Sequence, residues 1–375
     1  MKRGKIIILI VISILVLSAC KEYKITEVEK ITEDIAEEEN ESEEEIVEEE
    51  PEVQEEEIIP AAEKFELFNP EITYKNFYNG PLYNANKEWN TSSAALFEKE
   101  EENGINFMLV QTSEEDTESL KGIIQENPSQ IILMINPGLA TEKAKQALFN
   151  DELPQKYKDA EKDARGVFGE GSITGLGRLE FSSWNVQTTN YKIQELYNFA
   201  EEKKYLLFLE INAGEAQRDE FEETLIEYPN TTFLIHIEAK EFQSNEQKIR
   251  ELMQKYENIY LIIDANDILY DGQQGLFETY KTKKNEEAKE LFIEEFDTSY
   301  ERYITDANQR YTTLIETLPN KVLWSFEMGP EYNYDPEIYD RAIKVSRGFI
   351  STLNTEYQEG IAYKNAVEIL GKGIE

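Results

Sequence analysis

The residues best suited to chemistry in this chain are one histidine and a set of glutamates that end predicted strands. His236 is the only histidine of the 375 residues, and the apolar run in 231–238 around it predicts a buried strand. Ligands and catalytic groups of α/β folds lie at the carboxyl ends of parallel strands. A lone histidine more often has a structural role, so the expectation of a functional role for His236 depends on the residues predicted to lie near it. Glutamates lie at or near the ends of four other predicted strands, at Glu88, Glu170, Glu210 and Glu327.

Carboxylates that lie within a few ångströms of one another repel, and each raises the pKa of the others unless a cation compensates. Mn²⁺, Mg²⁺ or Ca²⁺ would supply that positive charge, because these ions prefer oxygen ligands. A metal-bound water could then attack an amide or ester bond, with Glu327 as the general base. Without a metal, Glu327 and Glu170 could form the acid–base pair of a glycosidase, although no other sequence feature supports that reaction.

The elements that must position these residues are apolar segments alternating with helical ones, which predicts the α/β class. Eight such segments are typical of a (β/α)8 TIM-type barrel, whose mouth is the end where the strands' carboxyl termini lie. A doubly wound open sheet is the main alternative, but no G-x-G-x-x-G opens a helix in this chain. The predicted strands are 81–88, 104–111, 130–136, 166–170, 205–212, 231–238, 258–264 and 321–327.

The amino terminus has the pattern of a secretory signal peptide. A positively charged flank at 1–5 precedes an apolar run at 6–17 that is too short to span a bilayer comfortably. The run ends in Leu17-Ser18-Ala19-Cys20, which resembles the lipobox of bacterial lipoproteins. This resemblance implies cleavage before Cys20, lipid attachment to its sulfur, and an extracytoplasmic protein anchored to the cell membrane. An uncleaved anchor or ordinary secretion is the alternative.

A strongly acidic segment follows the predicted lipid anchor. Residues 27–57 contain 18 acidic residues and one lysine, within a chain whose net charge is −39. This composition predicts a disordered linker that acts as a tether, because it cannot bury apolar surface and repels itself. The acidity also argues against a nucleic-acid partner, which would need clustered Lys and Arg. The predicted regions are a signal peptide at 1–19, a lipidated tether at 20–62 and the barrel at 63–375.

The strand-end motifs, taken in order, resemble those of the amidohydrolase-related group of metal-dependent hydrolases. The resemblance covers most of the folded part, but the individual motifs match loosely. Asn84-Ala85-Asn86-Lys87-Glu88 matches the family's first-strand Asp-x-His-x-His, Gly169-Glu170 matches its fourth-strand glutamate, and Glu210 or Asn212 takes the place of its fifth-strand histidine. Tyr228-Pro229-Asn230 through His236 matches the sixth strand, and Ser325 through Pro330 matches Gly-Ser-Asp-x-Pro of the eighth. Gly360 through Leu370 resembles the family's terminal helix.

The resemblance implies a metal site and a substrate site at the barrel mouth. Both first-strand histidines and the fifth-strand histidine are replaced, and the general-base aspartate becomes Glu327. Zinc prefers nitrogen and sulfur ligands, so one histidine cannot build the family's His-rich site. The implied metal ligands are Glu88, Glu170, Glu210 and His236, with His236 and Glu327 as catalytic residues. The implied substrate-binding residues are Asn86, Asn212, Arg178 and Trp184.

Two hypotheses follow for the mouth. In the first, which we favour, the family's site is altered and the barrel is a binding or scaffold module for a small-molecule ligand, without a cofactor. In the second, the protein is an active amide or ester hydrolase that uses Mn²⁺, Mg²⁺, Ca²⁺ or Zn²⁺ with Glu327 as base. Carboxylates that converge without a basic neighbour would favour the enzyme, whereas a Lys or Arg among them would favour the binding module.

Overall fold

The computed structural model describes residues 77–88, 100, 102–112, 117–126, 131–139, 141–270, 276, 286–326 and 335–374. The predicted signal peptide, Cys20, the acidic tether and Glu327 lie outside these residues. None of the described helices is long and apolar enough to cross a membrane.

The described part of the chain contains one sheet of eight parallel strands, arranged in the order of the sequence. Helices lie between consecutive strands, as the alternating pattern predicts, and the α/β barrel prediction is confirmed. The strands are β1 Leu82–Glu88, β2 Ile105–Thr112, β3 Ile131–Ile135, β4 Ile173–Glu180, β5 Leu206–Glu210, β6 Phe233–His236, β7 Ile259–Asp264 and β8 Val322–Ser325.

The helices vary widely in length, from single turns at the ends of two strands to a helix of 32 residues before β8. They are α1 Thr117–Glu126, α2 Thr141–Phe149, α3 Leu153–Phe168, α4 Phe181–Trp184, α5 Tyr191–Lys203, α6 Glu215–Glu227, α7 Ala239–Lys255, α8 Ala265–Ile268, α9 Glu286–Thr317, α10 Pro336–Thr352, α11 Thr355–Glu359 and α12 Asn365–Ile374, with a π-helical turn at Gly360–Lys364 before α12.

Alternate residues of the strands form two apolar layers, because successive side chains of a strand point to opposite faces. One layer packs between the strands and the surrounding helices. The other fills the interior of the barrel, and α12 adds Ala366 and Ile369 to it. Asn365 fixes α12 at the start of β8, where its Nδ2 donates to the carbonyl oxygens of Pro319 and Val322, both at 2.7 Å. The carboxy-terminal helix therefore plugs the end of the barrel opposite the mouth.

The first and last strands are joined by the side chain of Asn84, which is fully buried. Its Nδ2 donates to the carbonyl oxygen of Phe326 at 2.7 Å, and its Oδ1 accepts from the backbone N–H of Phe326 at 2.9 Å. The carboxamide thus satisfies both backbone groups of a residue next to β8, as a paired strand residue would. This contact sits where the register of β1 against β2 shifts.

The predicted fourth strand, 166–170, is wrong. Those residues end α3 and form the turn after it, where Gly169 has a φ of 91° that suits glycine. The fourth strand is β4, which contains Gly175 and Gly177. Glycines are more typical of loops, so this segment was not predicted to be a strand. Gly175 is required by packing, because an added Cβ would lie 2.6 Å from the carbonyl oxygen of Leu206 on β5.

We expect Asn84→Ala to destabilise the protein by about 2–3 kcal/mol, because it removes two hydrogen bonds and leaves two buried backbone groups unpaired. The free energy of unfolding in urea measures this cost. The exposed Asn150→Ala is the matched control and should change stability by less than about 0.5 kcal/mol. Equal stability of the two variants would contradict the role of Asn84 at the junction.

Candidate functional site

Polar side chains end five neighbouring strands at the mouth of the barrel. On β5 to β8 these side chains follow residues of the interior layer by two positions, as His236 follows Leu234, so the alternation places them on the interior face. Glu210 is the register partner of both Glu180 and His236, and register partners on adjacent strands lie about 4.8 Å apart. The strand-end residues are Glu180 of β4, Glu210 of β5, His236 of β6, Asp264 of β7 and Ser325 of β8.

An arginine from β4 occupies the space beside Glu210. The Nε of Arg178 donates to Glu210 Oε2 at 2.6 Å, and a second guanidinium nitrogen contacts the same oxygen. The Glu210 side chain is only 9% exposed and that of Arg178 is 23% exposed, so the pair is largely desolvated. Tyr157 of α3 donates to the Arg178 carbonyl oxygen at 3.0 Å and holds the backbone of this residue.

His236 forms a second pair, with an aspartate that the sequence analysis did not identify. Its Nε2 lies 3.1 Å from Oδ2 of Asp267, which belongs to the single-turn helix α8 after β7. The two Asp267 oxygens also accept the backbone N–H groups of Ala239 and Asp264, each at 3.0 Å. The buried Arg310 of α9 donates to the Asp267 carbonyl oxygen at 2.7 Å. The imidazole is therefore held by a carboxylate that is itself fixed from three sides.

The charges around His236 keep its ring protonated. Burial alone would lower the pKa of His236, but the charge and hydrogen bond of Asp267 and the charges of Glu210 and Asp264 outweigh it. Together they raise the pKa from 6.5 to about 9. A protonated imidazole has no lone pair for a metal ion and cannot accept a proton as a general base.

Glu238 lies at the rim of the mouth, two residues after His236 and immediately before α7. Its side chain is exposed, and it makes no hydrogen bond or ion pair within the described part of the chain. Partial loss of hydration raises its pKa, and the charge of Glu210 raises it further, whereas protonated His236 lowers it. The negative charges of Glu238 and Glu210 therefore repel each other.

Glu170 lies between α3 and β4, so its predicted position at the end of the fourth strand is wrong. Its side chain is 81% exposed and pairs with Arg165 at 2.9 Å. The carboxylate that ends the fourth strand is Glu180, which accepts a hydrogen bond from Thr141 at 3.0 Å. Glu180 was not predicted because the fourth strand was assigned to 166–170 instead of 173–180.

The expected substrate-binding residues lie in different parts of the structure. Trp184 is 2% exposed and packs against Phe181 in the layer between strands and helices, so it is not a wall of the mouth. Asn212 follows β5 and accepts the backbone N–H of Gly214 at 2.6 Å, which organises the start of α6. Arg178 lies at the mouth, and its contact with a ligand remains a prediction. The side chains of Asn86 and Glu88 lie outside the described part of the chain, although β1 includes both residues.

The described residues do not fit a metal ion. Within them, no three His, Cys, Asp or Glu side chains are grouped so that they could hold one. Of the expected ligands whose side chains the structure describes, Glu210 and His236 are brought together, and each is paired, with Arg178 or Asp267. The guanidinium beside Glu210 would also repel a divalent cation.

Asp267 could have been found from a local pattern. Asp264 and Asp267 are three residues apart at the end of an apolar strand, and each side chain caps the other's backbone in a reciprocal box. Asp264 ends the predicted seventh strand, 258–264, but its spacing to Asp267 was not used to predict a cap. Arg178 was identified as a mouth residue, but no local sequence signal pairs it with Glu210, which is 32 residues away.

Comparison with known proteins finds similarity only at the level of the fold. No family model and no curated protein matches the sequence. Solved structures similar to this chain include a probable 2-pyrone-4,6-dicarboxylic acid hydrolase from Acinetobacter baumannii with bound citric acid, at 12% identity and a TM-score of 0.47, covering 77% of this chain and 99% of the other.

An amidohydrolase from Burkholderia multivorans with bound zinc is also similar, at 9% identity and a TM-score of 0.44, over 77% of this chain and 98% of the other. The 4-oxalomesaconate hydratase from Rhodopseudomonas palustris follows at 14% identity and a TM-score of 0.41, over 75% and 82%. The structural neighbours thus include amidohydrolase-type barrels, the group that the strand-end motifs resemble. At these values the likeness carries no information about the mouth of this barrel.

The His236–Asp267 pair predicts a measurable pH dependence. The folded pKa of about 9 exceeds the unfolded value near 6.5, so the pair stabilises the fold fully below pH 6.5 and is lost as pH rises through 9. The contribution of the raised pKa to the free energy of unfolding is on the order of 3 kcal/mol. Because the chain has one histidine, an NMR titration of untagged protein gives a single imidazole curve.

We expect Asp267→Asn to bring the NMR pKa of His236 down to 6.5 or below, since burial then acts without the facing carboxylate. Asp163→Asn, an exposed change on α3, is the control and should leave the value near 9. A wild-type pKa near 6.5, or one that Asp267→Asn does not change, would contradict the assignment.

Proposed function

We propose that this protein is a binding module built on an amidohydrolase-type barrel, in which internal ion pairs replace the metal site. The observation that carries the proposal is the Arg178 guanidinium against the buried carboxylate of Glu210. A basic side chain among the strand-end carboxylates is the feature that distinguishes a binding module from a metal-dependent hydrolase, which needs those oxygens for its ion.

The electrostatics of the mouth support a binding role in a second way. A metal-dependent hydrolase requires an open coordination position and a base that can take a proton from the bound water. Arg178 and protonated His236 place two positive charges where the resemblance implies a metal ion. Both cations are neutralised by their own carboxylates, so the mouth keeps charged, fixed hydrogen-bonding groups that can orient a ligand.

The alternative function is hydrolysis of an amide or ester bond with Glu327 as base. It is favoured by one observation, the location of Glu210 and His236 on adjacent strand ends at the mouth. In this alternative, Arg178 would have to leave Glu210 before the carboxylate could bind a divalent metal.

We also infer that the barrel is carried outside the cytoplasm on a lipid anchor at Cys20, with the acidic segment as its tether. The support is the charged flank, the short apolar run and the Leu-Ser-Ala-Cys ending of residues 1–20. Cys20→Ala should abolish incorporation of labelled palmitate in a bacterial host and move the protein out of the membrane fraction. Unchanged labelling of this variant would exclude the anchor, because the chain has no other cysteine.

Metal analysis of the purified full-length protein tests the binding function against the enzyme. After incubation with Mn²⁺ or Zn²⁺ and gel filtration, we expect no stoichiometric metal and no thermal stabilisation by either ion, because Arg178 neutralises Glu210. One bound metal per chain, together with ester hydrolysis that Glu327→Gln abolishes, would establish the hydrolase and contradict the binding module.

A further inference from the structure

Two large aromatic side chains lie exposed beside each other on the outside of the barrel. Phe149, the last residue of α2, is 61% exposed, and Tyr191, the first residue of α5, is 70% exposed. Lys192 joins them, because its Nζ donates to the Phe149 carbonyl oxygen at 2.7 Å and lies 5.8 Å from the centre of the Tyr191 ring. Neighbouring aromatic side chains left in contact with water are typical of an interaction surface.

A groove on α2 extends this surface. It has a volume of about 420 Å³ and is lined, among the described residues, by Glu142, Lys143, Lys145, Gln146 and Phe149. The glutamate and the two lysines make no ion pair within the described part of the chain. Lysine side chains cover apolar surface with their methylene groups and keep the ammonium group in water. The groove residues together with Tyr191, here called the α2 face, thus combine aromatic rings with two lysines whose charges a partner can use.

The α2 face lies in a part of the barrel that carries no net charge. Residues 141–192 contain eight acidic and eight basic residues, whereas the next segment, 193–270, contains 17 acidic and seven basic ones. An acidic surface is repelled by anionic lipids, and a neutral one is not. The segment that contains the α2 face can therefore approach a membrane without the electrostatic cost that the following segment would meet.

We propose that the α2 face docks on the lipid surface to which Cys20 anchors the chain. This inference rests on the lipid anchor proposed above and names the surface that the barrel contacts. Aromatic rings with lysines beside them are suited to the interface of a bilayer, where the rings leave water and the ammonium groups reach the lipid phosphates.

The anchor and the α2 face act together. Residues 21–76 span on the order of 190 Å at most when fully extended, and any shorter path lets the barrel touch the bilayer. Because the anchor keeps the barrel close to the membrane, a contact too weak to hold a free protein on vesicles is sufficient. Tyr191 begins a helix that follows β4 and α4, so it lies on the side where the mouth opens. Docking therefore brings the mouth near the lipid headgroups.

A fluorescent label on the α2 face tests the inference. The lipid occupies the only native thiol, so a cysteine introduced into the anchored protein is its single labelling site. Gln146→Cys places an environment-sensitive dye such as NBD in the groove, and Glu202→Cys places it at the exposed far end of α5. With the full lipidated chain in liposomes, we expect a blue shift and quenching by nitroxide-labelled lipid for the dye at 146, and neither for the dye at 202.

Substitution of the two aromatic residues separates lipid contact from other causes of shielding. Phe149→Ser and Tyr191→Ser together, in the Gln146→Cys protein, should abolish the blue shift and the quenching, because the rings that enter the bilayer are lost. Both side chains are exposed, so thermal unfolding should be unchanged. The matched control, Ile226→Ser, removes a side chain that is also 61% exposed, from the end of α6, and should leave the response of the label intact.

Each other outcome overturns the inference. Equal, solvent-like emission of the two labels, or a response that loss of both aromatic rings does not change, would exclude docking through this face. A blue shift that persists in detergent and that the lipid quencher does not affect would assign the face to the acidic tether. A shift that grows with protein density on the liposomes would assign it to a second copy of the chain.

Palmitate labelling of the wild-type chain distinguishes these results from failure of the anchor. A labelled chain whose α2 face stays in water contradicts the docking surface and leaves the anchor in place. An unlabelled chain contradicts the anchor, and the docking surface with it. Neither result bears on ligand binding at the mouth.

Discussion

The mouth of this barrel depends on the junction of the first and last strands through the carboxamide of Asn84. A sheet of eight parallel strands can place distant residues at one rim only if its edges are brought together. Asn84 does this with one donor and one acceptor that match the backbone groups of Phe326, at 2.7 and 2.9 Å. The exchange is buried, so water does not compete for either group.

The barrel is stabilised at its other end by polar contacts of the same kind. Arg347 is buried and donates to the carbonyl oxygens of Tyr78 and Gly80, which fixes the chain before β1 to α10. Asn365 donates to Pro319 and Val322 and holds α12 in place as a plug. In each case one side chain donates hydrogen bonds to backbone carbonyl oxygens at or near the start of a strand. The apolar interior is thereby sealed at the plugged end.

Within the residues that the structure describes, the mouth contains two largely desolvated ion pairs, Arg178–Glu210 and His236–Asp267. Desolvation makes each charge costly by itself, so each is held by a partner and by further hydrogen bonds. Asp267 shows the pattern most fully, because its carboxylate binds His236 and two backbone N–H groups. Glu210 is held by Arg178, whose Nε and a second guanidinium nitrogen contact the same carboxylate oxygen.

The sequence predicts the barrel well where strands are apolar and continuous, as in β6, whose end carries His236. It fails at β4, because packing against β5 requires Gly175, and a glycine in a short strand has the character of a loop. That failure placed Glu170 at the mouth and concealed Glu180. The pairing of Arg178 with Glu210 is set by the register of β4 against β5, and no spacing along the chain encodes it. The position of Asp267 could have been predicted from its capping pattern with Asp264.

The central claim is that Arg178 and Glu210 form a desolvated ion pair that takes the place of a metal ion. A double-mutant cycle on the free energy of unfolding, with Arg178→Met and Glu210→Gln, tests it most directly. The account predicts a coupling energy of at least about 1.5 kcal/mol, against about 0.5 kcal/mol or less for the exposed pair of Lys158 and Glu195. Additive effects of the two substitutions, with a coupling no larger than that of the exposed pair, would contradict it.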